Sequence, residues 1–193
     1  MNRMPNNKQL KGNNGKSAMP SSRRMDPAGT VESVVNRALK NSADKMGFSN
    51  IKALVDCIKK GDPTACSYCH YNVAKELGEV LGIWDKDIKA VYAFGYDDNT
   101  TSEECYEDMS PSTLVHMIIW VGRKTNALKA LGESMDRAMV QHQRRLLGLK
   151  ELEHALDIQI IDDDDVKNRK GYAALLKSIY QTPVQVWISN PTS

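Results

Sequence analysis

The spacing of apolar residues predicts three helices in the first half of the chain. The first helix is expected to begin at Thr30 as its N-cap and to end at Gly47, and the second to run from about Asn50 to Lys60. Gly61-Asp62-Pro63 then supplies a helix-ending glycine, an N-cap carboxylate and a first-turn proline. A third helix is therefore expected from Pro63 to about Gly82.

The second half of the chain reads as alternating strands and helices. Asp87 to Tyr96 alternates between apolar and polar residues, as in a half-buried strand, with Ile88, Ala90, Tyr92, Phe94 and Tyr96 on one side. Ser112 to Val121 is apolar on both sides, which is typical of a central strand. We expect these two strands to pair antiparallel. The remaining predicted elements are a helix at Thr125–Leu147, a strand at Leu156–Ile161, a helix at Asn168–Tyr180 and a strand at Thr182–Ser189 with Val184, Val186 and Ile188 inward.

This order of elements predicts an α+β fold, in which N-terminal helices are followed by a ββαβαβ succession that forms a mixed sheet of about four strands. Residues 1–28 have almost no bulky apolar side chains and are rich in Asn, Gly, Ser, Pro and Lys. Such a segment cannot bury enough surface to offset its ordering entropy. We therefore predict a disordered basic tail at 1–28 and a single α+β domain at 29–193.

Charge is segregated along the chain. Residues 1–25 hold six basic and no acidic side chains, so the rest, with 20 basic and 24 acidic residues, sums to −4. The tail is thus a candidate for contacts with nucleic acid. Residues 97–108 between the first two strands are acidic. No apolar run approaches the roughly 20 residues of a membrane span, and no secretory signal pattern is present. We expect a cytoplasmic protein that does not enter a membrane.

The residues most suggestive of chemistry are Cys57, Cys66, Cys69 and His70. Cysteines in a chain without an export signal favour free thiols or metal ligation over disulfides. At positions i, i+3 and i+4, the last three share one face of the third helix, and a tight helical hairpin can turn Cys57 toward them. Because thiolate and imidazole suit Zn²⁺, we regard these four residues as a candidate zinc site. The competing interpretation is ordinary core packing, since unligated Cys is often buried.

Two short resemblances concern the same residues. Cys66-Ser67-Tyr68-Cys69 at a helix start resembles a thioredoxin-type motif, which implies Cys66 as the nucleophile and Cys69 as its resolving partner. With His70 added, the stretch resembles a c-type haem attachment site, which implies Cys66 and Cys69 as thioether anchors and His70 as the axial ligand. Haem attachment generally takes place outside the cytoplasm, so the lack of an export signal disfavours haem.

Three hypotheses for function follow. The first is an intracellular binding or regulatory protein with the zinc site described above, acting on an unknown protein partner. The second is a thiol–disulfide redox protein or sensor, and the third is a nucleic-acid-associated protein that uses its basic tail. Other candidate residues have simpler interpretations: His116 as a satisfied core histidine, and Asp162–Asp165 as a helix start in which Asp165 takes part. Nothing in the pattern establishes an enzyme.

Overall fold

The computed structural model describes residues 25–94, 114–178 and 182–189. Their helices and strands confirm the predicted α+β class and the ββαβαβ order after the N-terminal helices. The elements in chain order are α1 (Pro27–Met46), α2 (Ile51–Lys59), α3 (Pro63–Trp84), β1 (Ile88–Ala93), β2 (Val115–Val121), α4 (Asn126–Leu147), β3 (Leu156–Ile161), α5 (Asp163–Asn168), a 3-10 helix (Gly171–Lys177) and β4 (Val184–Ile188).

The four strands form one mixed sheet in the order β3-β2-β1-β4. β1 pairs antiparallel with β2, as predicted, and also with β4, while β2 and β3 are parallel and are joined through α4. In the parallel pair the register places Val115 beside Leu156 and His116 beside Asp157. This register determines which side chains of β2 and β3 meet.

Local chemistry explains most helix boundaries. Asp62 is the N-cap of α3, its carboxylate accepting a hydrogen bond from the Ala65 amide at 2.8 Å, and Pro63 is the first helical residue, as predicted. The prediction of Thr30 as the N-cap of α1 was wrong. Asp26 takes that role by accepting hydrogen bonds from the amides of Ala28 and Gly29, so the helix begins at Pro27.

The predicted helix at Asn168–Tyr180 was also wrong. Asp162 and Asp165 form a reciprocal capping box, which starts α5 several residues earlier than expected. α5 then ends at Arg169, whose φ of 53° is left-handed, and only a 3-10 helix follows. The strong N-terminal cap and the early left-handed residue therefore override the apolar spacing of Tyr172 and Leu175.

Two irregularities in the sheet change the predicted strand faces. Between Ile88 and Ala90 the β1–β2 register shifts, so Ile88 joins the main core while Tyr92 and Phe94 lie on the other face. On β4, Val186 has no partner between Trp187 and Gln185, and both Val186 and Trp187 pack against the main core. Ile188 is consequently 55% exposed, which corrects the prediction that it points inward.

The two faces of the sheet are covered unequally. The inner face, which includes Val115, Met117, Ile119 and Val121, packs against α3 and α4 and belongs to the main core. The outer face has a much smaller buried cluster of Ile118, Ile161 and Ala173, the last from the 3-10 helix. Aromatic side chains on the outer face, among them Tyr92, Phe94 and Trp120, are only partly buried.

Close backbone approach and buried polar groups fix α3 in place. A Cβ added at Gly82 would lie 2.2 Å from the Trp187 ring, so only glycine allows α3 to sit this close to β4. Between α1 and α3, the buried Glu76 carboxylate accepts hydrogen bonds from Arg37 and from Asn41, the latter at 3.0 Å. The α1–α3 contact is therefore partly polar, which the apolar spacing did not predict.

Some predictions concern other parts of the chain. The predicted tail covers residues 1–28, and residues 1–24 of it lie outside the described residues. The acidic segment 97–108 also lies outside the described residues. Within the described residues, none of the helices combines the length and apolar character needed to cross a lipid bilayer.

Candidate functional site

The hairpin between α2 and α3 carries the four residues singled out by sequence. Cys57 lies in the last turn of α2, and Cys66, Cys69 and His70 lie in the first two turns of α3. All four are partly buried, and Cys57 and Cys69 pack against the main core. The three cysteines are unpaired thiols. Core packing thus accounts for at least two of the four side chains.

The surroundings of Cys66 and Cys69 keep these two thiols protonated. Burial raises the pKa of Cys66, and the negative charge of the Asp62 carboxylate raises it further. For Cys69, burial and then the neighbouring Cys66 raise the pKa to about 12. The N-cap that starts α3 therefore opposes the helix dipole expected to favour a Cys66 thiolate. Since the thiolate is the reactive form, these surroundings weigh against thiol–disulfide exchange at neutral pH.

The zinc prediction gains no support from the arrangement of donor atoms. Across residues 25–94, 114–178 and 182–189, no three His, Cys, Asp or Glu side chains are grouped so that they could hold a metal ion. The proposal of a zinc site at Cys57, Cys66, Cys69 and His70 stays a prediction.

His70 is distinguished by its electrostatic surroundings. Burial lowers the pKa of the His70 imidazole to about 4, and the charge of His116 contributes in the same direction. The ring is therefore neutral at physiological pH. The effect of His116 on His70 also relates the hairpin to β2, where His116 belongs to a cluster of hydrogen-bonded polar side chains.

This cluster is a polar row of His116, Asp157 and Gln159 on the outer face of the sheet. His116 Nδ1 lies 3.0 Å from Asp157 Oδ2, and the Gln159 amide donates to the other carboxylate oxygen, Oδ1. The first two residues are direct neighbours across the parallel β2–β3 pair. Their side chains are 27% and 28% exposed. The polar row is thus preformed by hydrogen bonds but is not sealed in the core.

Aromatic rings adjoin the polar row. The Phe94 ring centroid lies 5.1 Å from that of His116 and 5.8 Å from that of Tyr172, both in tilted contacts. Tyr172 is 40% exposed. A neighbouring residue on β1, Tyr92, has its pKa raised by burial. The outer face therefore combines partly exposed aromatic rings with a small number of fixed polar groups.

Sequence reasoning identified His116 as a satisfied core histidine without a nearby partner, and it did not find the polar row. The histidine is satisfied in part by Asp157, which lies 41 positions later in the chain. The sequence did contain a signal for this contact. If the apolar residues of the two predicted strands are aligned in parallel, Val115 lies beside Leu156 and His116 lies beside Asp157. Without evidence for a parallel register, that alignment was one of several.

The acidic run Asp162–Asp165 is explained by local structure. Asp162 caps α5, and Asp165 completes the capping box, so Asp165 takes part in the helix start as predicted. Asp165 also pairs with Lys124. Asp163 accepts hydrogen bonds from Lys89 and from the Trp120 indole at 2.9 Å, and Asp164 pairs with Lys170 at 2.7 Å. Each carboxylate thus has a cation or a backbone donor, which leaves the run as a helix start and an anchor for α5.

No protein-family model matches the chain, and neither a curated protein nor a solved structure shows significant similarity to it. Its function must be inferred from its own residues.

Proposed function

We propose that the protein is a binding protein whose ligand site is the polar row of His116, Asp157 and Gln159. One observation carries this proposal: three polar side chains from two neighbouring strands are hydrogen-bonded into a chain on a partly exposed sheet face. Each side chain of the row is held by another, and solvent reaches the row, so a ligand can contact these groups without any opening of the sheet.

The surroundings of the polar row favour binding over a purely structural role. Its carboxylate is held by two donors, so the imidazole and the carboxamide keep their orientation before any ligand arrives. Preorganisation of this kind lowers the entropy cost of binding. The adjoining Phe94 ring offers apolar contact area that a ligand can cover.

A fragment screen by NMR tests the proposal. The full-length ¹⁵N-labelled chain is titrated with small acids, amines, amides, sugars and heteroaromatic rings, and shift changes are mapped onto the assigned spectrum. We expect ligands to perturb His116, Asp157 and Gln159 together. Asp157→Asn should weaken binding by about tenfold or more, because one amide cannot accept both hydrogen bonds in the native geometry.

The chain provides a matched control in Asp164, an exposed carboxylate of α5 that lies 2.7 Å from Lys170 Nζ. Asp164→Asn makes the same chemical change outside the polar row and should leave fragment affinity unchanged. Spectra of both variants report whether the fold is retained. Shift changes scattered over the surface, or equal affinity in the Asp157→Asn variant, would overturn the proposal.

Zinc binding by the hairpin is a second candidate, supported by the neutral His70 ring, the protonation state that metal ligation requires. Because the donors do not form a ready-made group, zinc would have to reorganise Cys57, Cys66 and Cys69. Elemental analysis of the purified chain with a thiol titration tests this. One zinc per chain with shielded thiols supports the site, and reactive thiols without zinc contradict it.

A further inference from the structure

The orientation of the Gln159 carboxamide is fixed by chemistry. Both oxygens of an ionised carboxylate only accept hydrogen bonds, so the group that faces Asp157 must be the Gln159 amide nitrogen and not its oxygen. Since Asp157 is also held by His116, the carboxamide cannot easily turn over. Most surface glutamines lack such a constraint.

One edge of this carboxamide is available to a ligand. Among the described residues, no protein group donates a hydrogen bond to Gln159 Oε1. We assign the bond with Asp157 to the amide hydrogen that points away from Oε1, because using the other hydrogen would bring Oε1 close to the carboxylate. The second amide hydrogen then lies beside Oε1. The carboxamide therefore presents an acceptor and a donor next to each other in one plane. On the adjacent strand the direct neighbour of Gln159 is Ile118, which is fully buried, so the apolar surface that a ligand could contact comes from the partly exposed rings of Phe94 and Tyr172.

We infer that the site takes an uncharged planar ring that has a hydrogen-bond donor next to an acceptor on one edge, as a nucleobase or a ring-bound primary amide does. A glutamine amide pairs with such an edge through two parallel hydrogen bonds, and this geometry is familiar from adenine recognition. An anionic ring is disfavoured by the Asp157 charge. This inference rests on the proposed function of the polar row and specifies its ligand.

Paired probes that differ at one atom or group test the inference. Adenosine is compared with purine riboside, which keeps the ring nitrogens but lacks the 6-amino donor, and nicotinamide with 3-acetylpyridine, which keeps the carbonyl acceptor and stays uncharged but lacks the N–H donor. We expect adenosine or nicotinamide to shift the Gln159 side-chain amide signals in NMR titrations of the full chain. The probe that lacks one hydrogen-bonding group should bind about tenfold more weakly. The two pairs distinguish a nucleobase from a simple amide.

The matched variants are Gln159→Glu and Gln185→Glu. The first removes the amide donor and adds a charge beside Asp157, so probe binding should be lost. Gln185 is exposed on the same face but on β4, and its substitution should leave affinity unchanged. Equal binding of the paired probes, or retained binding by Gln159→Glu, overturns the inferred ligand class.

The screen described above separates two kinds of failure. If other fragments perturb the polar row while adenosine and nicotinamide do not, the ligand class is wrong and the binding site stands. If no fragment perturbs the polar row, the proposed function fails and the ligand class fails with it.

Discussion

Acid should destabilise this protein in part through the His70 imidazole, and the size of that contribution follows from the structure. Burial also lowers the pKa of His142, which adds an effect of the same sign. His70 titrates near 6.5 in the unfolded chain but near 4 in the folded protein, because burial and the charge of His116 disfavour the imidazolium. The unfolded chain therefore binds more protons between these values. The contribution of His70 to stability is fully present above 6.5 and is lost as the pH falls toward 4.

The magnitude can be worked from the two pKa values. At about pH 5 the unfolded imidazole is almost fully protonated and the folded one is largely neutral, which corresponds to a loss of about 2 kcal/mol in the free energy of unfolding. This is a substantial fraction of the stability of an ordinary domain.

The assay is urea unfolding at about pH 7.5 and about pH 5, with free energies from linear extrapolation. Wild type and His70→Gln are compared, because other titrating groups contribute equally to both. We expect wild type to lose about 2 kcal/mol more than the variant on acidification. An NMR titration of the His70 ring provides an independent check.

His154 supplies a control of opposite sign. Its pKa is raised by the hydrogen bond to Asp136, so its contribution is present below 6.5 and is lost as the pH rises through the folded value. His154→Gln should therefore lose more stability than wild type on acidification. If acidification lowers the free energy of unfolding equally in wild type and in His70→Gln, or if the His70 ring titrates near 6.5, burial does not lower the pKa of His70 as described.

Three further predictions concern packing and reactivity. Gly82→Ala should lower the free energy of unfolding by about 1–3 kcal/mol, because the added methyl group would overlap the Trp187 indole ring. Gly132→Ala is the control: its added methyl group would lie 3.6 Å from the nearest atom, so the substitution should be neutral or stabilising. Urea unfolding of both variants measures the difference. Arg37→Met should cost about 1–3 kcal/mol by removing a charged partner of the buried Glu76, and adding Glu76→Gln should recover part of the loss in the same assay. At about pH 8, Cys69 should react slowly with a thiol-specific disulfide reagent in the native protein and quickly in urea. Mass spectrometry identifies the labelled cysteine, and fast labelling of Cys69 in the native protein would contradict its raised pKa.

Local chemistry made much of the fold predictable. Gly61, Asp62 and Pro63 each act on the backbone within a few residues, and the structure places them as the sequence predicts. Thr125 and Gly148 bound α4 for the same reason. Strand periodicity located β3 at its observed bounds. In each case the determining interaction lies within one turn or one strand.

What could not be predicted depends on contacts between distant residues or on small backbone irregularities. The extra residue on β4 reverses the face of Ile188, and period-two alternation cannot reveal where such an irregularity occurs. The candidate site was missed because His116 and Asp157 meet only through the register of a parallel pair. By contrast, the cysteine cluster attracted attention through sequence proximity alone.

The parallel pairing of β2 with β3 has a consequence for folding kinetics. The connection between them includes the whole of α4, so closing this pair is a non-local step with a high loop-closure cost. A chain with α1 to α3 and the β1–β2 hairpin already formed would still lack the His116–Asp157 contact. Any ligand of that contact would recognise only molecules that have completed this step, and it would slow their unfolding without accelerating their assembly.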